Sequence, residues 1–133
     1  MSKNADRLYR EARAAMAQAY APYSRFPVGA AILAEDDMVY SGANVENAAY
    51  PQGFCAETSA IAAMIRAGQR KICEVAVIGP GTELVTPCGG CRQRIRELAG
   101  PDTLIHICGD EGVRRSFTLA ELLPFSFGPE NLG

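Results

Sequence analysis

A layered α/β fold is what this sequence predicts, on three observations. Short runs at Val28–Ala34, Val75–Ile78 and Leu104–Cys108 are apolar on both alternating faces, the pattern of strands covered on two sides. Between them lie stretches of helical content, Cys55–Ala67 and Cys91–Leu98, and helices alternating with apolar strands build layers. The chain of 133 residues, 48% hydrophobic, is long enough to bury one core. No repeat, low-complexity tract or linker divides it, so a single domain over 1–133 is expected.

Taken in order, Leu8, Ala12, Ala15, Met16 and Ala19 recur at helical spacing until Pro22, which predicts an amphipathic first helix. Val28–Ala34 and Met38–Tyr40, joined through Asp36-Asp37, predict a hairpin. Asn44–Phe54 is polar and holds Pro51 and Gly53, so it reads as a loop. Cys55–Ala67 spreads apolar residues around its cylinder and meets Gly68 where a C-terminal cap belongs, which predicts a buried helix. Val75–Ile78 ends at Gly79-Pro80, Cys91–Leu98 ends before Gly100-Pro101, and Leu104–Cys108 is a further strand. Thr118 with Glu121 three residues on has the capping-box pattern of a last short helix through Leu123, stopped by Pro124.

Composition narrows the function. Thirteen Lys plus Arg against 15 Asp plus Glu leave a net charge of -2, with no block of like charge to track a polyanion, so a nucleic-acid partner is not expected. The first turns carry Lys3, Asp6, Arg7, Arg10, Glu11 and Arg13 instead of an apolar signal core, and no apolar run is long enough to cross a bilayer. A soluble, cytoplasmic protein without a membrane partner is the expectation. In a reducing setting its five cysteines read as thiols or metal ligands.

Cys88-x-x-Cys91 alone serves zinc sites and redox pairs alike. Pro87 precedes the first thiol, and Cys55, 33 positions before Cys88, is followed two residues on by Glu57 at a helix start. Three protein ligands leave a fourth tetrahedral position for water, the mark of a catalytic zinc. Zinc lowers the pKa of water toward roughly 7, and some group must then take and redeliver the proton. Glu57 is the candidate, although alone it reads equally as a surface residue favoured by the helix dipole. The same dipoles favour thiolates at Cys55, Cys88 and Cys91.

Together these residues resemble the small zinc-dependent cytidine deaminases, whose zinc signature has His or a third Cys as first ligand. The likeness also runs through Ala21-Pro22-Tyr23-Ser24, Phe26-Pro27-Val28-Gly29-Ala30-Ala31, Asn44-Val45-Glu46-Asn47-Ala48-Ala49-Tyr50, Arg92-Gln93 and Leu122-Leu123-Pro124. It implies a three-layer α/β/α domain with a central mixed sheet of about five strands, one Zn2+ per subunit on Cys55, Cys88 and Cys91, and a homotetramer whose sites are completed by neighbouring subunits. It further implies that Asn44 and Glu46 hydrogen-bond the ribose, Phe26 stacks near the base, Tyr50 lines the pocket and the backbone at Ala56 meets the cytosine ring. Phe125 would reach an adjacent subunit's site; the alternative is that it, like nearby Phe127, only packs the subunit interface. The implied reaction is hydrolytic deamination of cytidine and 2'-deoxycytidine to uridine and 2'-deoxyuridine with release of ammonia, in pyrimidine salvage.

One position departs from the pattern. Many relatives with three cysteine ligands carry Arg directly after the catalytic Glu, and here Thr58 stands there. Three thiolates on a divalent ion leave a net charge of about -1, which Thr58 does not offset. Helix N-termini and backbone amides are the expected compensation, with Arg92 as a possible cation or a purely structural residue. His106, the single histidine, reads as structural, and Cys73 and Cys108 as small buried thiols. Competing readings are a noncatalytic zinc module, a thiol redox protein using Cys88 and Cys91, and a deaminase of a modified cytosine nucleoside such as blasticidin S.

Overall fold

A computed structural model describes residues 2–133. The centre is β1 (Gly29–Ala34), in which every residue is buried because helices cover both faces of the sheet. Its alternation sorts the side chains: Ala30, Ile32 and Ala34 enter one core with Val75, Val77, Ile105 and Ile107, while Ala31 and Leu33 enter the other with Ala76, Ile78 and Cys108. The first core is closed by α2 (Ala56–Arg66), α3 (Gly89–Leu98) and α4 (Leu119–Leu122), and the second by α1 (Ala5–Met16). The architecture is therefore the three-layer α/β/α arrangement expected.

Five strands run in the order β2-β1-β3-β4-β5, with β2 at Val39–Ala43, β3 at Ile72–Ile78, β4 at Leu104–Gly109 and β5 at Gly112–Thr118. β3 and β4 are parallel and the other neighbours antiparallel, so the sheet is mixed. Among the described residues no helix is long and apolar enough to cross a membrane.

Several boundaries differ from the sequence expectation. α1 stops at Met16 rather than continuing past Ala19, because the chain leaves the helix so that Tyr20 can bridge to Val45. β2 starts one residue later and runs to Ala43, and β3 begins at Ile72, three residues before the apolar run. Within the chain α2 buries one face and leaves Ala62 and Ala63 exposed on the other, the side on which its sequence predicts contact with another subunit. Its end follows expectation: Gly68, at φ +96°, and Gln69 return their N–H groups to Ile65 and Met64, which satisfies carbonyls the helix leaves open. The capping box of Thr118 and Glu121 is formed.

The missed strand is β5. Arg114, Arg115 and Ser116 break its apolar pattern, as is common at a sheet edge, where charge discourages pairing with another chain. Arg115 instead lies over the Phe117 ring, 4.5 Å from its centroid. His106 is fully buried and hydrogen-bonds Ser116 Oγ through Nδ1 at 2.6 Å and Glu74 Oε1 through Nε2 at 2.7 Å, across three strands. It is the structural histidine expected.

Candidate metal centre and active site

The two helices that carry the cysteines start at one place. Cys55 is the N-cap of α2, Cys88 is the N-cap of α3, and Cys91 lies in the first turn of α3. Their backbones are extended at both N-caps, which turns the thiols off the helix ends toward each other. The three sulfurs lie within 4.8 Å of one another. All three cysteines are free of disulfides.

The donor set fits zinc. A Zn–S bond of roughly 2.3 Å in a tetrahedron sets sulfurs about 3.8 Å apart, a spacing this cluster reaches with small adjustments. Burial foremost, then the nearby Glu57 carboxyl, pushes the Cys91 thiol up to about 12. Burial also raises Cys55, whereas a backbone hydrogen bond from Cys91 holds Cys88 below the ordinary thiol value. Thiols held protonated in this way release protons when a cation binds them, so the site couples metal uptake to proton loss.

Glu57 follows Cys55 on the first turn of α2 and is 4% exposed. The reading of it as a solvated helix-start residue therefore fails. Burial pushes its carboxyl above the ordinary carboxylate range, which makes it a stronger base than a solvated carboxylate. It faces a cavity of about 360 Å³ lined also by Phe26, Val28, Asn44, Cys55, Ala56 and Cys88. An adjoining cavity of about 460 Å³ shares Ser24, Asn44 and Cys55 with the first and adds Glu46 and Tyr50.

The loop residues are firmly held. Asn44 Oδ1 accepts from Val28 N and its Nδ2 donates to Phe26 O, both at 2.9 Å, leaving one N–H and one lone pair for a ligand. Glu46 accepts from Tyr23 N at 2.9 Å, from Ser24 N at 3.0 Å and from the Ser24 hydroxyl. The Ser24 bonds hold its carboxyl below the usual range. Tyr50 is 75% exposed and packs its ring 5.9 Å from that of Tyr23. Phe125 is not brought to this cluster within the chain: it is fully exposed, beside Ser126 and Arg96 at a separate cavity.

Around the sulfurs, Arg92 is structural, donating to Pro87 O and Leu122 O at 2.7 Å and to Thr86 Oγ1 at 3.0 Å. Thr58 Oγ1 lies 3.8 Å from Cys91 Sγ. Arg94 Nη1, which sequence reasoning overlooked, lies 3.7 Å from the same sulfur. Its signal was available, since Arg94 is one helical turn beyond Cys91 and projects from the same side.

Comparison with known proteins places this geometry. The profile of the family described as the cytidine and deoxycytidylate deaminase zinc-binding region matches residues 2–107. The chain is 41% identical over 127 residues to a cytidine deaminase of Sporosarcina psychrophila, covering 96% of this chain and 93% of that one. It is 41% identical over 118 residues to a cytidine deaminase of Mycobacterium tuberculosis, covering 89% and 85%. Its fold is similar to the crystal structure of the cytidine deaminase from Burkholderia pseudomallei, with a TM-score of 0.87, 39% identity and coverage of 96% and 100%.

Proposed function

Since the chain belongs to the cytidine and deoxycytidylate deaminase family, we propose that it hydrolyses cytidine and 2'-deoxycytidine to uridine and 2'-deoxyuridine, releasing ammonia, as a step in pyrimidine salvage. The observation that carries this reading is a buried carboxyl, Glu57, beside three converging sulfurs at the wall of a cavity. Residues 1–133 would act as one deaminase domain.

Cys55, Cys88 and Cys91 would hold one zinc per subunit. Bound there, zinc supplies the Lewis acidity that makes water nucleophilic near neutral pH. Glu57 takes the proton of the attacking water and delivers it to N3 of the base, which makes C4 electrophilic. The same carboxyl then carries the second proton to the departing amine. Its burial supports this, because a carboxyl raised by desolvation is a stronger base toward the water and keeps the proton it takes from escaping to solvent.

The cavity supports the binding roles. That Phe26 and Ala56 share the smaller cavity with Glu57 supports their contact with the pyrimidine ring. Asn44 borders both cavities, and Glu46 and Tyr50 border the larger, where a ribose would extend. The hydrogen bonds that fix Asn44 and Glu46 hold the loop ready before substrate arrives, which reduces the entropy lost on binding. Exposed Tyr20, Tyr50, Phe54, Phe125 and Phe127 support a homotetramer in which a neighbour's Phe125 closes the site.

The test is a substrate panel. Zinc-loaded protein is incubated with cytidine, deoxycytidine, cytosine, CMP and blasticidin S while ammonia release is followed. The expected result is turnover of the two nucleosides. Turnover of blasticidin S alone would replace the substrate assignment, and release from none would overturn the catalytic reading.

A further inference from the structure

Resting on the zinc site read above, three thiolates would leave a divalent ion with a net charge of about -1, and an ionised Glu57 would add another negative charge. Unless something offsets it, this charge weakens the ion's pull on a bound oxygen. Three arginines lie along α3. Arg92 is committed to Pro87, Leu122 and Thr86, and Arg96 to Ser126 and Glu130. Arg94 alone of the three turns to the sulfur cluster, with Nη1 3.7 Å from Cys91 Sγ.

The approach depends on its surroundings. A Cβ on Gly90 would lie 3.2 Å from Arg94 Nη1, slightly tighter than ordinary contact, so the glycine lets the guanidinium lie close over the first turn of α3. Cys91 is fully buried, which lowers the screening of a charge beside it. Among the described residues Arg94 forms no salt bridge with a carboxylate and is the one cationic side chain that hydrogen-bonds a sulfur of the cluster. Its positive charge also reaches the Glu57 carboxyl, on which it acts to favour ionisation against the larger effect of burial.

We propose that Arg94 is a positioning residue that acts through Cys91, donating a charged hydrogen bond to its thiolate so that the zinc keeps its strength as a Lewis acid. Thr58 Oγ1, 3.8 Å from the same sulfur, contributes a neutral partner from the opposite helix. The two residues therefore sandwich one thiolate between α2 and α3, and a cation introduced at either position would serve it.

The test compares the parent with R94M, R94K and R94M combined with T58R, each loaded with cobalt(II) for spectroscopy and with zinc for kinetics. In R94M the thiolate loses its charged partner, so the sulfur-to-cobalt charge-transfer band should move to lower energy. With full zinc occupancy kcat should fall about 10- to 100-fold, with KM within about threefold of the parent, the range seen when a group supporting a metal ligand is removed. R94K and the R94M/T58R double variant should recover most of both readouts, since each returns a positive charge to Cys91. An unmoved band with unchanged kcat in R94M overturns the proposal. So does R94K behaving like R94M, which would mark packing rather than charge. The cobalt band separates this from the functional reading: if the parent deaminates no cytosine nucleoside, the shift in R94M and its return in the double variant still decide the role of Arg94.

Discussion

Replacing Glu57 by Gln keeps the side chain's volume and its place on the first turn of α2 while removing its ability to accept a proton. The two proton transfers assigned to it fall in successive steps, so the slower sets the loss, which at the upper end of the 10²- to 10⁴-fold range of general acid–base catalysis is about 10⁴-fold. At 1.36 kcal/mol per decade this is about 5.4 kcal/mol of barrier. The site offers little substitute, because Glu57 is 4% exposed and bulk water does not reach its carboxyl freely. The change also tests folding in a known direction. Burial raises the Glu57 carboxyl, so its contribution to stability is fully present below the unfolded value and is lost as pH rises through the folded one. Metal-free E57Q should therefore melt higher than the metal-free parent at pH 8 and with less difference at pH 4. The assay is ammonia release from cytidine at equal zinc content, alongside thermal melts. Turnover within tenfold of the parent at full zinc loading would refute the role of Glu57.

Zinc removal should abolish turnover and destabilise the protein, since a ligand that binds only the folded state at 100 times its Kd contributes about 2.7 kcal/mol; melts at graded free zinc check this, and a Tm independent of zinc would count against the cluster as a metal site. Thr118→Ala removes the N-cap of α4 and should cost about 1 kcal/mol in denaturant unfolding, with zinc content unaltered. Burial pushes the Glu74 carboxyl up, but bonds from His106, Ser2 and Asn4 outweigh it and hold it below the ordinary range. That contribution is present above the unfolded value and lost as pH falls through the folded one. Glu74→Gln should therefore destabilise more at pH 7 than at pH 3, and parallel stability curves would dismiss the charge of Glu74 as a factor.

Strand and helix segments that cross the interior were legible in sequence because burial on both faces writes a continuous apolar run, as in Ala30–Ala34 and Val75–Ile78. β5 was not, since an edge strand is selected by backbone pairing with β4 rather than by its side chains. Likewise the Gly68 cap at the end of α2 and the Thr118 cap of α4 were visible because their chemistry is local. The end of α1 was hidden because it is set by a bridge from Tyr20 to Val45, twenty-five residues away.

At the site, the sequence alone determined the ligand types and their carboxyl companion, because Cys55, Glu57, Cys88 and Cys91 sit at fixed offsets from two helix starts and their chemistry depends on residue type. Only the tertiary structure decided what those residues meet. It drew the two helix ends together so that three sulfurs fall within 4.8 Å, and it buried Glu57. It also assigned the cations: Arg92, adjacent to Cys91 in sequence, turns away to carbonyls, while Arg94 reaches the thiolate. The physical reason is helical geometry and crowding. Successive residues on α3 point in different directions, so Arg92, next to Cys91 in sequence, faces away from its thiol, while Arg94, about one turn on, lies over it beside the side-chain-free Gly90.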